Sequence, residues 1–136
     1  MDEIKKNIEL LLSRESGMDV GANDFTVQLI SRPDTSDFYY LVILKADTGP
    51  LKGFILGPDF LIRQSGGMDK APDLSKPARV SELEKNTGTK ARLVWMPCEI
   101  SLSPFYPFWE VDSGEKKVYV DLDNRLFLQA DSKKGG

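Results

Sequence analysis

An uninterrupted apolar run at residues 38–44 is the feature that most restricts how this chain can fold. The run reads Phe-Tyr-Tyr-Leu-Val-Ile-Leu. A strand with one face in water alternates apolar and polar residues, whereas β-branched and aromatic residues in sequence favour a strand covered on both faces. The run is far shorter than the ~20 apolar residues that span a bilayer. We therefore expect a central strand of a sheet in a protein without membrane segments.

Clusters of turn-forming residues divide much of the remaining sequence into short strand candidates. The turns are predicted at residues 32–34, 47–50 and 57–59. The strands are predicted at residues 25–30, 51–56, 60–63, 92–96, 105–111, 117–121 and 125–128. Because the connections between the first strands are brief, we expect those strands to form an antiparallel meander.

Two segments have the apolar periodicity of a helix. In residues 2–14 the apolar side chains recur on one helical face, and Gly17 suits a helix end. A second, shorter helix is predicted at residues 77–87, with Pro77 in its first turn and Gly88 at its end. The fold class that follows is α+β, a predominantly antiparallel sheet of seven or eight strands with an N-terminal helix and a second short helix.

The domain organisation follows from length and from the distribution of polar residues. At 136 residues the chain has the size of one domain. Residues 64–76 are rich in Gly, Ser, Asp and Pro, which predicts a mobile loop inside that domain. We therefore predict a single α+β domain at residues 1–131 and a disordered tail at residues 132–136.

The composition disfavours several classes of function. The chain has no histidine and one cysteine, Cys98, so neither a Ser-His-Asp nor a Cys-His mechanism fits it. The same deficit leaves no thiolate or imidazole set for zinc, and we expect neither a metal nor a cofactor. Asp121 and Asp123 match the start of a calcium loop, but the glycine and the glutamate that such a loop needs are missing. The sequence shows no secretory signal, and with one cysteine it predicts a cytoplasmic protein.

Four aromatic residues around Pro107 form the most unusual segment. They are Phe105, Tyr106, Phe108 and Trp109. Strand alternation puts Phe105 and Trp109 on one face, which we predict to be the inner one, and Tyr106 with Phe108 on the other. Proline cannot donate a ladder hydrogen bond, so the segment is predicted at a sheet edge or in polyproline-like backbone, and some of its rings are expected to meet solvent or a partner. These four residues are the predicted partner-binding site.

A basic face around the second helix is the other candidate surface. It consists of Arg79, Lys85, Lys90 and Arg92, and it suits phosphate or an acidic partner. Glu82 and Glu84 interrupt this face, and no aromatic residues are interleaved for base stacking. The net charge is −3, so nucleic acid is a disfavoured partner.

These patterns favour a non-catalytic protein-binding module, such as an adaptor, inhibitor or accessory subunit, that uses the aromatic edge segment. The expected partner is another protein, and a homodimer is compatible with the same surface. The alternative is a small enzyme or small-ligand binder that uses carboxylate, Tyr or Lys groups in a sheet pocket. Carboxylate chemistry leaves little trace in a single sequence, so this alternative stays open.

Overall fold

The computed structural model describes residues 2–17, 19–21, 23–45, 51–114 and 116–128. In these ranges the chain forms two helices and eight strands. In chain order they are α1 (Asp2–Ser16), β1 (Phe25–Arg32), β2 (Asp37–Leu44), β3 (Leu51–Leu56), β4 (Ile62–Met68), α2 (Ala78–Thr87), β5 (Arg92–Val94), β6 (Phe108–Asp112), β7 (Lys117–Val120) and β8 (Leu126–Phe127). Neither helix has the length and apolar character needed to cross a membrane.

The strands form a sheet in the order β4-β3-β2-β1-β5-β6-β7-β8. Pairing is antiparallel from β2 to β4 and from β5 to β8. The pairing of β1 with β5 is parallel, with Ser31 opposite Val94. The predicted α+β class is confirmed, and so is the meander for β2, β3 and β4. The parallel pair was not predicted, because it joins segments far apart in the chain.

The chain divides into two compact units. The first comprises Met1–Leu29 and Tyr39–Ala71, and the second comprises Ile30–Phe38 and Pro72–Gly136. The single domain at residues 1–131 stays a prediction. The predicted turn at residues 47–50 and the predicted disordered tail at residues 132–136 lie outside the described residues.

In the first unit, β2 carries the largest share of the buried core. Every side chain from Tyr39 to Leu44 is buried, which confirms the prediction of a strand covered on both faces. The helix α1 buries Ile8 and Leu12 completely, as its periodicity predicts. It ends at Gly17, which has φ of 71° and donates its backbone N–H to the carbonyl of Ser13.

The observed bounds of β4 differ from two predictions. A short strand at residues 60–63 and a loop at residues 64–76 were expected, but the strand runs from Ile62 to Met68. Phe60 instead belongs to the preceding turn, where it has φ of 65° and donates to the carbonyl of Gly57. Glycine and serine have weak strand propensity, yet backbone pairing with β3 overrides it here.

In the second unit, α2 begins after Pro77 and ends at Gly88, whose φ is 72°. The helix buries Val80 and contacts β6. A strand was predicted at residues 105–111, but β6 begins only at Phe108, directly after Pro107. The reason is that proline lacks the N–H that a strand between two neighbours must donate.

Limited proteolysis distinguishes the observed strand from the expected loop. Arg63 lies in β4, whereas Lys70 is exposed beyond its end. A protease needs an extended, unpaired backbone, so trypsin should cut after Lys70 before it cuts after Arg63. Mass spectrometry of the first fragments measures the order. Earlier cleavage after Arg63 would show that β4 is open in solution.

Candidate functional site

The structure buries most of the predicted partner-binding aromatics. Phe105, Phe108 and Trp109 are buried, and Tyr106 is 46% exposed. The predicted outward position of Phe108 is therefore wrong. Tyr106 lies in a turn, where its N–H donates to the carbonyl of Ser103, so strand alternation does not extend across Pro107.

The predicted edge position of this segment is also wrong. The strand β6 lies between β5 and β7, so both of its backbone edges are paired. Pro107 precedes the strand rather than lying within it. Partner binding by the four aromatics stays a prediction, and Tyr106 is the member of the set whose ring is open to solvent.

The predicted basic face does not form one free cationic patch. Arg79 donates its N–H to Asn124 Oδ1 and its Nε–H to the carbonyl of Asn124, both at 2.9 Å. Arg92 is paired with Glu110. Lys85 and Lys90 are exposed. Two of the four side chains are therefore committed to contacts within the chain.

A row of polar side chains crosses three strands of the second unit. The register places Arg92 of β5 opposite Glu110 of β6, and Glu110 opposite Tyr119 of β7. Glu110 is 2% exposed, and its Oε1 accepts a hydrogen bond from Nε of Arg92 at 2.9 Å and lies 2.9 Å from Nη2 in the same ion pair. Among the described residues, Glu110 Oε2 has no hydrogen-bond partner.

The row of Arg92, Glu110 and Tyr119 is a structural contact between three strands at neutral pH. Burial, reinforced by the negative charge of Glu110, raises the pKa of Tyr119 to about 12, so the phenol stays protonated. Arg92 neutralises the buried carboxylate. Sequence reasoning missed Glu110, although one signal was present, since it is the charged residue within an apolar Phe-Trp-Glu-Val segment.

The described residues offer no evident metal centre. No group of three or more Cys, Asp or Glu side chains among them is arranged to hold an ion. Asp121 instead serves a turn, because its Oδ1 accepts the backbone N–H groups of Asp123 and Arg125.

A groove in the first unit has the size of a small-ligand site. Its volume is about 540 Å³, and it lies between α1 and the segment that follows it. Its lining residues are Lys6, Glu9, Leu10, Ser13, Asp19, Val20 and Gly21. Ser13 Oγ accepts the N–H of Val20 at 3.0 Å, and its O–H, the charged groups and Leu10 can contact a ligand.

The open edge of the sheet lies along β4. Its inner edge pairs with β3 in six register positions, from Leu51 opposite Met68 to Leu56 opposite Ile62. No described strand lies along its outer edge. At the other end of the sheet, β8 has only two residues, Leu126 and Phe127. The outer edge of β4, which we call the β4 edge, is therefore the longer of the two strand edges along which no described strand lies.

The side chains of β4 leave this edge uncovered. Gln64, Ser65 and Gly67 are exposed, and the strand contains neither proline nor lysine. Its charged residue, Arg63, lies back over the preceding turn, since a Cβ built on Gly57 would lie 2.5 Å from Arg63 Nε. A Cβ built on Gly66 would meet no described atom within 4 Å. Space for a partner's side chains is therefore present.

Alanine substitutions should separate the buried aromatics from the exposed one. Phe108→Ala removes a fully buried ring and should lower the free energy of unfolding by about 3–5 kcal/mol. Tyr106→Ala removes an exposed ring and should change it by less than about 0.5 kcal/mol. Urea denaturation of both variants measures the difference. Equal losses would show that Tyr106 is packed in the core.

Alkaline pH should destabilise the protein through Tyr119. The unfolded chain loses this phenolic proton near pH ~10, whereas the folded chain keeps it up to about 12. Between these values the unfolded state binds fewer protons, so the free energy of unfolding falls as pH rises. Urea midpoints on either side of pH ~10 should therefore fall more for the wild type than for Tyr119→Phe. Parallel declines would rule out this contribution of Tyr119.

We compared the chain with protein-family models, with curated proteins and with solved structures. None of the three comparisons found a match. Its function must therefore be inferred from the residues and geometry described above.

Proposed function

We propose that the chain is a non-catalytic protein-binding module and that it binds an extended segment of another protein along the β4 edge. The observation that supports this most directly is the seven-residue strand β4, which lacks a neighbour on its outer side within the described structure. The class of function is the one that the sequence favours. The docking surface differs, because the aromatic segment is largely buried.

An exposed strand edge favours pairing for a physical reason. Alternate N–H and C=O groups of β4 point away from β3, and a second strand can satisfy them all. Proteins usually protect such an edge with lysine, proline, a bulge or a short strand. Here the register is irregular near Ile55 and Leu56, but from Gln64 to Met68 the pairing with β3 is continuous. This stretch is a template for strand addition.

The residues of β4 suit a partner recognised mainly through its backbone. Ser65, Gly66 and Gly67 are small, so they neither obstruct an incoming strand nor provide deep specificity pockets. In strand addition the main-chain hydrogen bonds supply affinity, while pockets for alternate side chains supply specificity. We therefore expect a broad preference for extended segments, with few fixed side-chain requirements.

Small-ligand binding in the groove beside α1 is the second candidate function. Its volume of about 540 Å³ lies within the range of known ligand sites. Lys6, Glu9 and Asp19 line it, and Leu10, which is 64% exposed, offers apolar contact. This candidate retains the carboxylate and lysine chemistry of the alternative predicted from sequence, but it uses a helix rather than a sheet pocket.

The test selects binders from a displayed library of short random peptides and maps them by amide hydrogen exchange. Selected peptides should protect the backbone amides of β4. Two proline variants, Gln64→Pro and Ser65→Pro, then probe the edge. Neighbouring N–H groups in a strand point to opposite sides, so one variant breaks pairing with β3 and the other removes only an outward donor.

The melting temperature identifies the outward variant, because that variant keeps its pairing with β3. It should weaken peptide binding about tenfold or more, since at least one hydrogen bond is lost and the ring obstructs its neighbours. Leu126→Ala, at the opposite end of the sheet, is the control that should bind normally. Binders that protect α1 rather than β4 would favour the groove, and binders insensitive to both prolines would contradict the proposal.

A further inference from the structure

We propose that, when no other protein is bound, the β4 edge pairs with β4 of a second copy of this chain, in an antiparallel arrangement centred on Ser65. This inference rests on the proposed function of the β4 edge and names the partner that occupies it in the isolated protein. The order of residues within β4 and the exposure of the outer side of this strand support the inference.

The length of β4 selects this register. In a two-fold antiparallel pair, one residue lies opposite its own copy, and its neighbours pair symmetrically around it. Ser65 is the midpoint of Ile62–Met68, so a pair centred there gives every residue of the strand a partner. A pair centred on Gln64 or Gly66 leaves two residues at one end of each strand without a partner.

The residue types are complementary in this register. Gln64 lies opposite Gly66, so the longer side chain faces a glycine, and Gly67 lies opposite Arg63, whose side chain lies back over its own turn. The space at Gly66 is free of described atoms within 4 Å, which leaves room for the amide of Gln64 from the second copy. At the ends, half-buried Ile62 and Met68 face each other.

Electrostatics disfavours the register in which Arg63 faces its own copy. Like charges directly opposite on neighbouring strands are destabilising. In the register centred on Ser65 the two Arg63 side chains are four residues apart along the paired strands, roughly 13 Å. The uncharged residues 64–66 then form the centre of the contact.

The dimer has a consequence for binding. A strand edge that is covered by a second copy is protected from unspecific pairing. A partner strand must displace that copy, so its apparent affinity falls as the concentration of the chain rises. The same surface thereby serves as a binding site in the monomer and as a closed edge in the dimer.

Charge variants at Ser65 test the dimer. Ser65 is exposed, so Ser65→Asp and Ser65→Lys should fold normally, which their melting temperatures check. Each places two like charges opposite each other across the two-fold axis. Sedimentation equilibrium over a range of concentrations should show a wild-type dimer, with dissociation constants about tenfold or more higher for either variant alone. An equimolar mixture of the two variants should restore dimerisation, because opposite charges then face each other.

Cysteine substitution tests the register itself. In a pair centred on Ser65, two cysteines at that position lie within disulfide reach, whereas two at position 64 face glycine instead. Under mild oxidation Ser65→Cys should therefore crosslink and Gln64→Cys should not. The native Cys98 is fully buried and does not compete.

The outcomes separate this inference from the proposed function. A wild-type protein that stays monomeric at all concentrations, or a dimer that is indifferent to both charge variants, overturns the self-pairing. If peptides still protect β4 in that monomer, the proposed function stands without it. A dimer that crosslinks through position 65 while no peptide protects β4 supports the self-pairing and contradicts the binding of other proteins at this edge.

Discussion

Burial of β2 on both of its faces is the constraint on which the structure of the first unit depends. Six consecutive buried side chains, Tyr39 to Leu44, must be covered by other segments, and their backbone groups must be paired on both sides. The strand β3 supplies one paired edge over five register positions. Tyr40 is in turn covered by Phe60, whose ring stacks on it with centroids 5.4 Å apart. The turn that places Phe60 also starts β4.

The need to cover and pair β2 also explains why an open strand edge occurs at β4. Phe60 adopts φ of 65°, an unusual value for an aromatic residue, and the turn is closed by hydrogen bonds between Gly57 and residues 60 and 61. The turn reverses the chain, so the next strand must lie beside β3. No described strand pairs with its outer side. The core of the first unit thus determines where the proposed binding edge lies.

The second unit depends on a different interaction, the buried pair of Glu110 and Arg92. A carboxylate at 2% exposure is costly to bury, and the guanidinium offsets that cost through an ion pair and a hydrogen bond to one oxygen. Because the pair bridges β5 and β6, it favours one register between them. Lys76 makes a similar but exposed contact with Glu84, which lowers the pKa of Glu84 and joins the segment before α2 to the helix.

The type and order of the main elements could be predicted from the sequence, because periodicity and turn residues act locally. The sequence predicted both helices, the buried character of β2 and the helix ends at Gly17 and Gly88. Which strands have neighbours on both sides could not be predicted, since strand pairing joins residues far apart in the chain. Strand pairing of this kind buries Phe108 and Trp109, brings Arg92 to Glu110, and makes the glycine-rich segment an edge strand.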